Sequence, residues 1–180
     1  MDNMIIQLIG VVAWIFLLLS YRAKDTKSII FVQLVSSLLY VIHYGLLNAY
    51  SGLFVCLLAL ITGLLYYFIK NKKLIYLLII PIVAASSYFF YDGLLSLMPM
   101  IAVLLDEYSF TKYKNTILKY SVISHILWVI YDYSVLSYSC IVTDGLVAIS
   151  NMILLISHYN TNLLKVDRTR PFLSREELFK

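Results

Sequence analysis

Residues 37–44, SLLYVIHY, and residues 125–132, HILWVIYD, stand 88 positions apart and share one order of polar, apolar and aromatic side chains over their first six positions. Leu39-Tyr40-Val41-Ile42-His43 lies over Leu127-Trp128-Val129-Ile130-Tyr131. The same offset places Lys24 over Lys112, Ile29 over Ile117, Ser36 over Ser124 and Tyr50-Ser51 over Tyr138-Ser139. Both stretches lie in long apolar runs, where a histidine or an aspartate is costly to keep. Self-similarity at a fixed period is a reason to read the chain as a repeat before anything else.

The surroundings say what kind of repeat. Of 180 residues, 62% are hydrophobic and 13% charged, too little charge to cover a soluble domain of this length. A membrane-crossing helix needs roughly 20 mostly apolar residues. Such runs are expected at 4–20, 28–46, 51–69, 74–91, 94–108, 116–133 and 139–158, the fifth being the shortest. The expected fold is an all-α integral membrane protein with seven transmembrane helices. Two parallel three-helix repeats, 1–72 and 93–159, are joined by a linker transmembrane helix, 73–92, and followed by a tail, 160–180.

The net charge of +4 does not imply nucleic-acid binding once the charges are placed. All 14 lysines and arginines fall in four clusters: Arg22/Lys24/Lys27, Lys70/Lys72/Lys73, Lys112/Lys114/Lys119, and a tail over 165–180. An even number of expected spans separates each cluster from the next. One orientation therefore puts every cluster on the same face, with the N-terminus outside and the C-terminus inside a bacterial inner membrane. The first span does not read as a cleaved signal, because no basic residue precedes Arg22. Cys56 and Cys140 read as small packed residues, and no cysteine, histidine or glycine pattern calls for a metal or a cofactor. The bilayer is the expected partner, and a homo-oligomer is compatible with the pattern.

Within the sixth span Ser121, His125, Trp128 and Asp132 share one helical face. Their equivalents in the second span are Gln33, Ser37, Tyr40 and Tyr44. Matching polar stripes suggest two faces turned toward a common interior, where such groups find partners. His125 falls near mid-membrane. Asp132 falls near the outer rim, solvated by headgroups or facing the interior. The seventh span adds Asp144, Asn151 and His158 at intervals of seven, over Cys56, Gly63 and Lys70. Tyr40, His125, Trp128, Asp144 and Asn151 are the candidate substrate-binding residues, and Asp132 and Asp144 the candidate ion or proton sites. Pro99, expected in mid-span, is the candidate hinge. Asp106 and Glu107 are expected to pair with Lys112 or Lys114. Ser174-Arg175-Glu176-Glu177 has capping-box spacing, in a tail expected to be otherwise unstructured.

The second half, LMPMIAV through LWVIYDYSVLSYSCIVTDGLVAISNMILL, resembles the bacterial YgjV-type inner-membrane proteins, most clearly around Pro99, Trp128-Val129-Ile130, Asp144 and Asn151. The arrangement of spans also resembles the SWEET and PQ-loop carriers. There, Trp128-x-x-Tyr131 is similar to an element of the sixth span. The seven-residue step from Asp144 to Asn151 is similar to one in the last span. That resemblance implies that Trp128 and Asn151 line a substrate pocket. Ser150 stands where those carriers have proline, Gly63 where they have a second asparagine, and the PQ dipeptide is missing.

Two functions follow as expectations. One is a small-solute carrier or facilitator for a polar metabolite, with aromatic walls and a few convergent polar groups. The other is a receptor or assembly factor that binds a peptide or protein on the same scaffold. An enzyme is not expected, because no nucleophile is spaced to meet a base.

Overall fold

The computed structural model describes residues 3–20, 26–69, 71–109 and 114–167. Among them the chain is helical: α1 (Asn3–Ser20), α2 (Thr26–Leu46), α3 (Tyr50–Phe68), α4 (Lys72–Phe89), a 3-10 turn (Leu94–Leu97), α5 (Met98–Ser109), α6 (Lys114–Ser134) and α7 (Tyr138–Asp167). Helices α1, α2, α3, α5, α6 and α7 pack in that order round a closed ring, α7 returning to α1. Helix α4 lies outside the ring, against the seam between α3 and α5. Val55 and Leu58 of α3, Ile75, Ile79 and Val83 of α4, and Met100 and Val103 of α5 form the apolar core of that seam.

The bundle reverses the polarity of a soluble protein. Leu8, Ile15 and Leu19 of α1, Leu57 and Ile61 of α3, and Val142, Ile149 and Ile153 of α7 face outward. Ser36, His43, Ser124, Asp132 and Ser137 are buried instead. So continuous an apolar exterior would aggregate in water and is at rest in lipid. Helix α1 and residues Tyr138–Ser157 are long and apolar enough to cross a bilayer, and only 22% of each window is buried in the protein. That low burial separates them from core helices of a soluble fold. The apolar stretches of α2, α3 and α4 are shorter: Phe31–Leu46, Tyr50–Leu65 and Lys73–Phe89.

Two elements differ from expectation. The fifth run is a 3-10 turn followed by a short helix, and Pro99 is the second residue of α5. A proline in the first turn has no helical hydrogen bond to lose, so the helix starts there rather than bending in its middle. The seventh helix continues to Asp167, well beyond 158. No glycine or proline interrupts residues 146–167, so nothing in the backbone stops it. The tail thus begins as helix. Ser174–Glu177 and Lys112 lie outside the described residues, as do the side chains of Lys114 and His158.

The two tight connections, 47–49 and 135–137, use the same hydrogen bonds at positions 88 apart. Ala49 N donates to Tyr44 O at 2.9 Å, and Ser137 N donates to Asp132 O at 2.9 Å. Leu47 N to His43 O and Val135 N to Tyr131 O repeat the match at 3.2 and 3.1 Å. Asn48 and Leu136 both take positive φ, 56° and 58°. Asparagine tolerates that conformation, whereas leucine pays about 1–2 kcal/mol for it. The bounds of α2 and α6 also coincide at the same offset.

Candidate functional site

Side chains of α2 and α6, on opposite sides of the ring, meet across its interior. Tyr44 is fully buried and donates its hydroxyl to Asp132 Oδ1 at 2.7 Å. Its ring lies 5.8 Å from that of Trp128 and 6.1 Å from that of Tyr131, centroid to centroid. Trp128 and Tyr131 meet edge to face at 6.0 Å. Gly52 of α3 lets this layer close, since a Cβ there would stand 2.8 Å from Tyr131 Cε1 and 3.0 Å from Tyr44 Cδ1. Tyr131 is pinned by its hydroxyl, which accepts from Ser51 Oγ at 2.8 Å and Gly52 N at 2.9 Å.

Asp132 is wholly removed from the surface, which rules out solvation by headgroups. Its Oδ2 accepts no hydrogen bond within bonding distance, and its nearby acidic neighbour is Asp144 of α7. Asp144 Oδ1 is 3.7 Å from His125 Nε2. On its other edge His125 Nδ1 meets Ser121 O at 2.8 Å, with Ser121 Oγ at 3.3 Å. Asn151 Nδ2 donates to the same Ser121 Oγ at 2.9 Å. A line of polar side chains thus runs from Tyr44 through Asp132, Asp144, His125 and Ser121 to Asn151, between α2, α6 and α7. Tyr40 joins it from the side, beside Thr143, Cys140 and Asp144.

Such a line can hold and pass a proton. Two carboxyls beside one imidazole in a low-dielectric bundle do not all ionise independently. Asp106 of α5 adds a further carboxyl against α6: its Oδ2 accepts from Ser124 Oγ at 2.6 Å. The expected lysine partners of Asp106 and Glu107 fall on Lys112 and on the side chain of Lys114, beyond what is described. Among the described residues no cluster of histidine, cysteine and acidic side chains has the makings of a metal site.

The predicted residues therefore divide. His125, Asp144, Asn151 and Asp132 come together through Ser121 and the carboxyl pair. Trp128 turns toward the apolar clusters and the two tyrosines. On the α2 stripe Tyr40 and Tyr44 turn inward, whereas Gln33 is exposed and the buried serine is Ser36, donating to Ala13 O at 2.8 Å.

The stripes passed over His43. Fully buried, it bonds Ile6 O through Nδ1 at 2.8 Å and Ser137 Oγ through Nε2 at 2.8 Å. A carbonyl only accepts, so Nδ1 carries a proton. Gln7 completes this junction, donating to Leu136 O at 2.9 Å and accepting from Ser139 N at 2.9 Å. The sequence signal for it is a histidine within an apolar span, which calls for a named partner.

Two cavities flank the bundle. One, of about 480 Å³, opens at the end carrying connections 47–49, 90–93 and 135–137, and Tyr131 lines it. The other, of about 730 Å³, is an apolar groove along α3 and α4 around Phe54, Pro81 and Phe90. Neither is lined by His125, Trp128 or Asn151.

A family model described as a bacterial inner membrane protein, Imp-YgjV, matches residues 4–162. No curated protein and no solved structure matches the chain.

Proposed function

The chain belongs to the Imp-YgjV family of bacterial inner membrane proteins, and from that premise we propose that it is a small-solute carrier built as two parallel three-helix repeats around the polar line. The observation that carries the reading is the interior run from Tyr44 to Asn151 inside an apolar-faced bundle. Two acidic side chains side by side in the interior are costly to keep for bracing alone, since apolar side chains would pack there without a desolvation cost. Asp132 and Asp144 carry the proton or cation. His125 and Asn151 bind the polar part of the solute, Tyr40 borders it, and the layer of Tyr44, Trp128 and Tyr131 forms the barrier between it and the 480 Å³ cavity.

Parallel repeats with a site between the halves are a recurring carrier plan, and the matched turns at 47–49 and 135–137 support a duplication. The basic clusters support an N-terminus outside, which makes the 480 Å³ cavity an outer vestibule. Pro99 remains the proposed hinge, now at the join of the 3-10 turn and α5 rather than within a helix.

Counterflow in proteoliposomes tests the reading. A metabolite panel should yield at least one solute whose movement exceeds that of empty vesicles, and Asp144→Asn should abolish that movement while the protein still folds. A flat panel, or an unaffected Asp144→Asn, counts against a carrier.

A further inference from the structure

The 480 Å³ cavity is assembled from three separate connections, and its chemistry is one-sided. Aromatic rings form much of its wall: Tyr50, Phe90, Tyr91 and Tyr131. The charged side chain in the lining is Asp92, and no lysine or arginine lines it. None could come from nearby in the chain either, because residues 28–69, 74–111 and 120–164 contain no lysine or arginine at all. The clustering that orients the protein thus also leaves this end with acidic side chains and rings. The volume is within the range of small-molecule sites, roughly 300–1,000 Å³.

The site is built rather than incidental. Gly93 takes φ 87°, a conformation open to glycine, and turns the chain just after Asp92. Ser96 Oγ accepts from Asp92 N at 3.0 Å and donates to Gly93 O at 2.7 Å, closing the turn. Phe90 stacks on Phe54 at 5.2 Å, and Tyr131 is held by Ser51 and Gly52. The floor of the cavity and the turn that carries Asp92 are therefore in place before any ligand arrives, which reduces the ordering cost of binding.

We propose that this cavity binds a small organic ammonium ion, its charge held among the exposed rings of Tyr50 and Tyr91 and the carboxylate of Asp92, with buried Tyr131 as the floor. Ring faces attract a cation through their quadrupoles, and a weakly hydrated ammonium gives up little water to reach them. A carboxylate at the rim supplies the long-range attraction, and the absence of a competing lysine or arginine leaves it available. An anion meets repulsion here, and a neutral sugar forgoes both contributions. Rested on the carrier reading, the inference makes an organic cation the transported class. Binding itself does not require transport.

Titration calorimetry on the full chain in detergent tests it, with choline and ethanolamine as probes and 3,3-dimethylbutan-1-ol, the neutral isostere of choline, as control. At least one ammonium should bind saturably, about tenfold or more tighter than the isostere. Asp92→Asn should weaken it by about tenfold without moving the melting temperature, since Asp92 is exposed. Tyr91→Leu, also at an exposed position, serves as a second variant and should weaken it too. Absence of binding by both ammonium probes, equal binding of the isostere, or indifference to both substitutions overturns the proposal. If binding holds while no ammonium moves in proteoliposomes, the ammonium is not the transported class and the site stands; only a flat metabolite panel overturns the carrier reading.

Discussion

Asp132 lies near the C-terminal end of α6 and faces the interior, the second of the two surroundings its spacing allowed. Its spacing from His125 puts it near the rim, yet α2 covers it and Tyr44 supplies its hydrogen bond. Tyr44→Phe would strip that bond from a buried carboxyl and should lower stability by about 1–3 kcal/mol, measured by thermal unfolding in detergent. Asp132→Asn keeps size and an acceptor for Tyr44, so it should fold with little loss while solute movement falls. An Asp132→Asn protein that transports normally would remove this carboxyl from the mechanism. His43 is the converse case, a residue with no place in either stripe that ties α1 and α2 to the 135–137 turn. His43→Leu leaves Ile6 O and Ser137 Oγ without their partner and should cost about 2–4 kcal/mol, again visible as a lowered melting temperature.

At the scale of elements, the two halves are held by small residues and by turns. Gly10 lets α1 approach α7: a Cβ there would collide with Ser139 Oγ and stand 3.0 Å from His43 Cε1. Gly10→Val should therefore force α1 and α7 apart and destabilise the fold by about 1–3 kcal/mol, with partial protease sensitivity in α1. The 135–137 turn offers the opposite sign. Leu136 holds φ 58° and is 55% exposed, so it loses little packing on removal. Leu136→Asn, which makes the turn like that at Asn48, should raise stability by about 0.5–1 kcal/mol. No change in melting temperature would mean that the leucine side chain contributes as much as its backbone costs. The 3-10 turn before α5 was beyond a reading by hydropathy alone, which sees one apolar run from 94 to 108. Pro99 marked the place, but only the fold shows it opening a helix instead of bending one.

For the whole molecule, orientation is the checkable consequence of the charge pattern. Single cysteines at Tyr138 and at Asn71, in a background lacking Cys56 and Cys140, should label with an impermeant thiol reagent from the outer and inner faces respectively. The reverse pattern would invert the molecule and put the Asp92 cavity inside. The all-helical class, the seven helices among the described residues and the offset of 88 in the turns were legible in residues 37–44 and 125–132 and the runs around them. Helix formation and residence in lipid depend on local apolar length and on charge at the ends, which are properties of each segment by itself. The meeting of His125, Asp144 and Asn151 was partly legible, because a helical period fixes which residues share a face. That Tyr44 reaches Asp132, that Trp128 packs against tyrosines, and that Asp92 joins Tyr50 and Tyr131 round one cavity were decided only in the tertiary structure. These contacts join residues tens of positions apart, and they depend on how far each helix rotates and slides against its neighbours. That is settled by close packing at Gly10 and Gly52 and by buried hydrogen bonds, not by any period along the chain.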